Sequence, residues 1–271
     1  MSDEHLEPHA LSVRHIGFVN WLGFWTLYSK EVQRFTKVWG QTIFAPMITA
    51  LLFLAIFSLA LGGAVRTVGD MPFMQFLAPG LVMMAIVQNS FANCSSTIMI
   101  GKIQGVIVDV LMPPLSAAEL VMAYALGGMT RGLVVGAAVT TAMSFFAPME
   151  IKHFWAVIFF AAAGAMTLSL AGIIAGVWAD KFDRMAVIQN FVITPLAFLS
   201  GTFYSVERLP GIWHTLSQVD PFFYMIDGFR YGFIGSSDAS PLTGVLVMIC
   251  INIVLGSVAY QMFARGYKIK S

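Results

Sequence analysis

Charged and nucleophilic side chains are scarce in this sequence, so the few that interrupt its apolar stretches bound the chemistry open to it. Arg131 is the one charge well inside a long apolar run, GGMTRGLVVG. A guanidinium there can attract an anionic headgroup, bridge backbone carbonyls, or snorkel to the near surface as a structural group. Asp227 and Arg230 stand three apart in FFYMIDGFRYGF, so on a helix they share a face and can pair, either as a gate or as a structural couple. Ser116 and Glu119 have the spacing of a capping box, which starts a helix. Pro113 and Pro114 precede them and stop any incoming helix, because proline lacks an N–H and restricts the residue before it. The stretch between Gly101 and Glu119 is therefore a stop, an elbow and a restart.

What is missing narrows the function further. No Asp, Glu or His lies in the core of any long apolar segment. Ion-coupled carriers keep such groups at membrane depth, because coupling needs a site that changes charge. A Ser/His, paired-Asp or His-rich zinc arrangement is also absent there, which argues against an intramembrane hydrolase. No catalytic or metal site is expected. His5, His9 and His15 are irregularly spaced, with no Cys among them, and read as part of a mobile tail. No GxxxxGK[ST] loop is present, so the chain itself does not hold ATP in that way. A net charge of +1 with no basic run excludes a nucleic-acid partner. Cys94 and Cys250 both sit in apolar stretches and read as buried hydrophobes rather than a disulfide.

These residues must be positioned by elements suited to a bilayer. With 58% hydrophobic and 11% charged residues and a mean hydropathy of +0.79, the chain reads as a polytopic membrane protein. After a polar tail at 1–20, with no cleavable signal pattern, residues 21–40 form an amphipathic helix. Trp21, Trp25, Tyr28, Val32, Phe35 and Trp39 fall within about 40° of one line at 100° per residue, with Lys30, Arg34 and Lys37 opposite. Such a helix lies in the membrane interface or packs on protein. Charge gaps then place six spans near 41–63, 73–98, 117–147, 154–179, 185–205 and 239–264. Gly128, Gly132 and Gly136 on the third, and Gly172 with Gly176 on the fourth, allow close helix approach. Residues 206–238 are too aromatic for a floppy loop. They read as short helices that dip back into the membrane, broken at Pro210 and Pro221, with an ordinary folded loop as the alternative. With both termini inside, ten of the fifteen Lys and Arg residues are cytoplasmic and four are outside, which sets the orientation.

The six-span layout, the elbow Met112-Pro113-Pro114-Leu115-Ser116-Ala117-Ala118-Glu119-Leu120 and the stretch Ser200-Gly201-Thr202-Phe203-Tyr204-Ser205 together carry a family resemblance. So do Leu209-Pro210, Trp213, Asp220-Pro221, Tyr224 and Asp227-Gly228-Phe229-Arg230-Tyr231. From about residue 20 onward the chain resembles the permease subunit of type-2 ABC exporters. The resemblance implies an all-α polytopic fold of the inner membrane and a homodimer, or a dimer with a like subunit. It also implies a separate ATP-binding cassette subunit that carries ATP and Mg, with no cofactor in this chain. The coupling segment, 101–116, would contact that subunit through Lys102, Gln104, Asp109, Pro113, Pro114, Ser116 and Glu119. Relatives often carry Glu in that helix where this chain offers Asp109. Arg131, Phe203, Tyr204, Asp227 and Arg230 are the expected residues of a substrate path or gate, and the cargo is amphipathic: a drug, a lipid-linked molecule or a glycan. A membrane scaffold using the same ATPase without transport is the competing expectation.

Overall fold

The computed structural model describes residues 17–61, 67–68, 71–204, 206 and 211–268. The three histidines of the tail, Ser205, Arg208, Leu209, Pro210 and most of the turn between the first two spans lie outside these residues. Helix α1 spans Trp21–Thr36 and α2 spans Trp39–Leu61. A two-residue ladder pairs β1 (Thr67–Val68) with β2 (Met71–Pro72) ahead of α3, Phe73–Ile103. Then come α4 (Ile107–Leu111), α5 (Ala117–Met143) and α6 (Phe154–Trp178). The fifth crossing is composite, with α7 (Phe182–Ile188), a π-turn at Gln189–Ile193 and α8 (Thr194–Leu199). Two short helices follow, α9 (Ile212–Val219) and α10 (Pro221–Ile234), and α11 closes the chain at Pro241–Ala264. Six of these crossings are long and apolar enough to span a membrane, as the charge gaps predict.

The core is built around α3, the most buried of the six, which packs most extensively against α5 and α6. Its polar residues are absorbed locally: the Ser90 and Ser95 hydroxyls donate to carbonyls one turn earlier, at Ile86 and Phe91. The predicted glycine stripes are what admit it. A Cβ on Gly132 would stand 2.8 Å from the Ile86 carbonyl oxygen, and one on Gly172 would stand 2.6 Å from that of Phe91. At 1.5 Å per residue, 31 residues reach about 46 Å, longer than a hydrocarbon layer of about 30 Å. The second span therefore runs past residue 98 into the expected coupling segment.

Other boundaries differ for local reasons. Residues 37–38 break the first helix, so Trp39 belongs to α2 rather than to the amphipathic stripe. The fifth span begins at Phe182 and ends at Leu199, before a turn through Gly201 at φ +80°. Its π-turn sits just before Pro195, which has no N–H to continue the helical ladder. Both the amide and the hydroxyl of Thr194 donate to the Gln189 carbonyl there. Cys94 is buried as expected, whereas Cys250 is exposed on α11.

Candidate functional site

Two places among the described residues have the makings of a site: the elbow between α3 and α5, and a partly open cavity between α2, α3, α5 and α8. At the elbow, Gln104 ends α3 and Gly105, at φ +74°, turns the chain into α4. Only Ile107 of that short helix is buried; Val106, Val108 and Asp109 are exposed, as are Met112, Pro113 and Pro114. The predicted capping box is present. The Glu119 amide donates to Ser116 Oγ at 3.3 Å, and the Ser116 amide donates to Glu119 Oε2 at 2.6 Å. The other carboxylate oxygen accepts from the Asn20 amide at 2.6 Å. Asn20 is itself the N-cap of α1, with Oδ1 accepting from Gly23 at 3.0 Å and Nδ2 donating to the Pro114 carbonyl at 3.2 Å. One carboxylate thus joins the N-caps of two helices.

Lys102 does not extend into solvent from this segment. Its Nζ donates to the Val177 and Ala179 carbonyls at 2.7 and 2.8 Å, closing the C-terminus of α6. Lys268 closes it from the other side through the Trp178 carbonyl and the Asp180 carboxylate, each at 3.1 Å. That bond to Lys268, with Arg184 at 2.7 Å, holds the Asp180 carboxyl below its ordinary range. Lys102 and Lys268 are therefore struts that tie other parts of the chain to the end of α6.

Helix α1 is anchored more deeply than an interfacial helix needs to be. Leu27, Glu31 and Phe35 are buried against the bundle, while Trp21, Trp25, Lys30 and Lys37 are exposed. Arg34 departs from the basic face assigned to it. It turns inward and donates to both the backbone and side-chain oxygens of Asn93 at 2.9 Å. It also lies 3.3 Å from Glu31, which accepts from Thr97 Oγ1 at 2.9 Å. Burial pushes the Glu31 carboxyl above its usual range, with Arg34 and Thr97 acting against that shift. Glu31 and Asn20 were not singled out from the sequence. The available signals were Glu31 standing midway between Leu27 and Phe35, and Asn20 standing immediately before the aromatic run.

The cavity lies among α2, α3, α5 and α8, is partly open with Gln41 and Thr49 exposed, and has a volume of about 610 Å³. Gln41 and Thr49 of α2, Gln88 and Asn89 of α3 and Arg131 of α5 bring polar groups to it; Pro46, Leu81 and Phe198 supply apolar wall. Phe203 stacks on Phe57 at 4.5 Å and on Phe198 at 5.1 Å, at the border of this space. The remaining expected gate residues are held elsewhere. Tyr204 donates to the Leu199 carbonyl. Asp227 and Arg230 share a face of α10 without pairing. The Asp227 carboxylate accepts from the Asp238 and Ala239 amides, latching the loop before α11. Arg230 donates to the Gly201 carbonyl at 2.8 Å and the Phe76 carbonyl at 3.3 Å, under the Phe76 ring. Both are satisfied by backbone groups that sequence spacing cannot reveal.

This arrangement has known relatives. The family described as ABC-2 type transporter matches residues 23–234. The chain belongs to the ABC-2 type transporter family. It is 36% identical over 253 residues to the inner membrane transport permease YadH of Escherichia coli K12, covering 93% of this chain and 98% of that protein. It is 24% identical over 219 residues to nodulation protein J of Rhizobium meliloti, covering 80% of this chain and 82% of that one. As an ABC-2 permease the molecule is a multi-pass membrane transport subunit, and its family implies an ATP-binding partner. In the permease the matched region takes in α1 from Gly23 onward, the elbow, the cavity and α10.

Proposed function

We propose that this permease moves an amphipathic substrate outward across the inner membrane, driven by ATP and Mg on a separate ATP-binding subunit. The observation that carries the reading is the shared Glu119 carboxylate, which makes α1, the proline elbow and α5 one mechanical unit. A push on α4 reaches that unit through five residues, Met112 to Ser116, two of them prolines. Rigid-body displacement of α5, one wall of the cavity, then changes the opening of the cavity. Exposed Val106, Val108 and Asp109 are the surface offered to the ATPase, and the charge distribution along the sequence favours both termini on that same cytoplasmic side. Similarity to the inner membrane transport permease of Escherichia coli supports the inner membrane, and the Lys and Arg distribution supports the orientation. A homodimer would supply the two-fold framework that a pair of ATP-binding subunits needs.

Proteoliposomes containing the permease and its ATP-binding subunit test this reading. Asp109→Lys combined with Val108→Glu should lower export at least tenfold and abolish stimulation of ATP hydrolysis by substrate. The permease should remain monodisperse, because both side chains are exposed. Unchanged export by that variant would show that α4 is not the coupling surface.

A further inference from the structure

Three arginines reach into the described bundle, and their surroundings differ. Arg34 has a carboxylate at 3.3 Å and two hydrogen bonds at 2.9 Å to Asn93, although its buried Nε, like that of Arg131, has no partner among the described residues. Arg230 has two carbonyls and an aromatic ring. Arg131 has a single long bond, 3.4 Å from Nη2 to Asn89 Oδ1, and its buried Nε has no hydrogen-bond partner among the described residues. It also has no ion pair among the described residues. An uncompensated guanidinium at this depth is costly, so a purely structural arginine would be expected to look like Arg230. Arg131 instead borders the cavity of about 610 Å³, a volume suited to a small amphiphile. The cavity is also walled by Thr194, at the end of the π-turn, and such irregular turns are frequent at functional sites.

We propose that Arg131 binds the anionic oxygen headgroup of an amphipathic substrate, with Gln41 and Gln88 beside it and the apolar tail against Pro46, Leu81 and Phe198. A guanidinium matches such a headgroup with two parallel hydrogen bonds, which an ammonium or amide cannot reproduce. This rests on the transport reading for the word substrate, and the binding itself can be measured without transport or ATP hydrolysis.

The test uses the full-length chain in a neutral detergent and three fluorescent single-chain lipids that differ only in headgroup: phosphate monoester, phosphocholine and neutral glycerol. The phosphate lipid should bind at least tenfold more tightly than the glycerol lipid. Arg131→Gln should remove that preference, and Arg131→Lys should keep part of it. Inorganic phosphate should compete weakly, since it lacks the tail; competition as strong as that of the phosphate lipid would mean a free-anion site and overturn the proposal. Equal binding of all three lipids, or a preference that survives Arg131→Gln, would also overturn it. If Arg131→Gln is not monodisperse, Thr49→Trp decides: it fills the cavity from its exposed α2 wall and must weaken phosphate-lipid binding at least tenfold. A protein that discriminates headgroups yet does not export keeps this site and refutes the exporter reading; one that exports without headgroup preference does the reverse.

Discussion

Glu119 is the residue on which the mechanical reading turns, because its two carboxylate oxygens each hold a helix N-cap amide. Replacing it with Ala leaves the Asn20 and Ser116 amides unpaired at the membrane edge. The expected cost is about 1–2 kcal/mol, a fall of several degrees in the melting temperature of the detergent-solubilised protein. Ser116→Ala should cost less, because it removes one cap and leaves the link to Asn20. Glu31 gives a pH signature. Burial raises its pKa, so folding shifts this carboxyl toward protonation relative to the unfolded chain. The stability it contributes is fully present below its unfolded value of 4.5 and is lost as pH rises through the higher folded value. Melting temperature followed from pH 4.5 to 8 should therefore slope less in Glu31→Gln than in the natural chain; identical slopes would place the titrating group elsewhere.

Among the elements, α3 sets the packing because α5 and α6 both close on it through glycines. At Gly132 an added Cβ would come within 2.8 Å of a backbone carbonyl that cannot swing aside. Gly132→Ala should then destabilise by about 1–3 kcal/mol, as overpacking does. Gly40, at the start of α2, has nothing within 4 Å of its added Cβ, so Gly40→Ala should be neutral or stabilising by up to about 1 kcal/mol. Parallel thermal melts of the two variants check the contrast, and equal effects would refute the close packing of α3 on α5. These glycines were legible in the sequence because the four-residue spacing forces them onto one face. Their partner was not, since nothing in a stripe says which helix fills it. The break before Trp39 and the π-turn before Pro195 were missed for a related reason: each is a local adjustment to packing inside an otherwise apolar run.

On the scale of the whole molecule, α3, α5 and α6 are largely enclosed while α2, the fifth span and α11 leave most of their surface outward. These three faces are the expected surfaces for the proposed homodimer. Single cysteines at Leu52, Phe191 and Ile253, introduced into a Cys250→Ser background, should give a disulfide-linked dimer from at least one face in membranes. A cysteine at the buried Met225 should give none. Failure of all three outward positions would refute the homodimer. The sequence by itself determined the class, the six crossings, the elbow and its capping box. Those depend on hydrophobic length, on proline's missing donor and on spacing along one chain, all of which are local. Tertiary structure alone decided that Glu119 also holds Asn20, that Lys102 closes α6, that Asp227 and Arg230 bond to separate backbone groups, and that Arg131 faces a cavity. Each of those outcomes depends on which distant backbone or side-chain group arrives within hydrogen-bonding reach, and only packing of the helices fixes that.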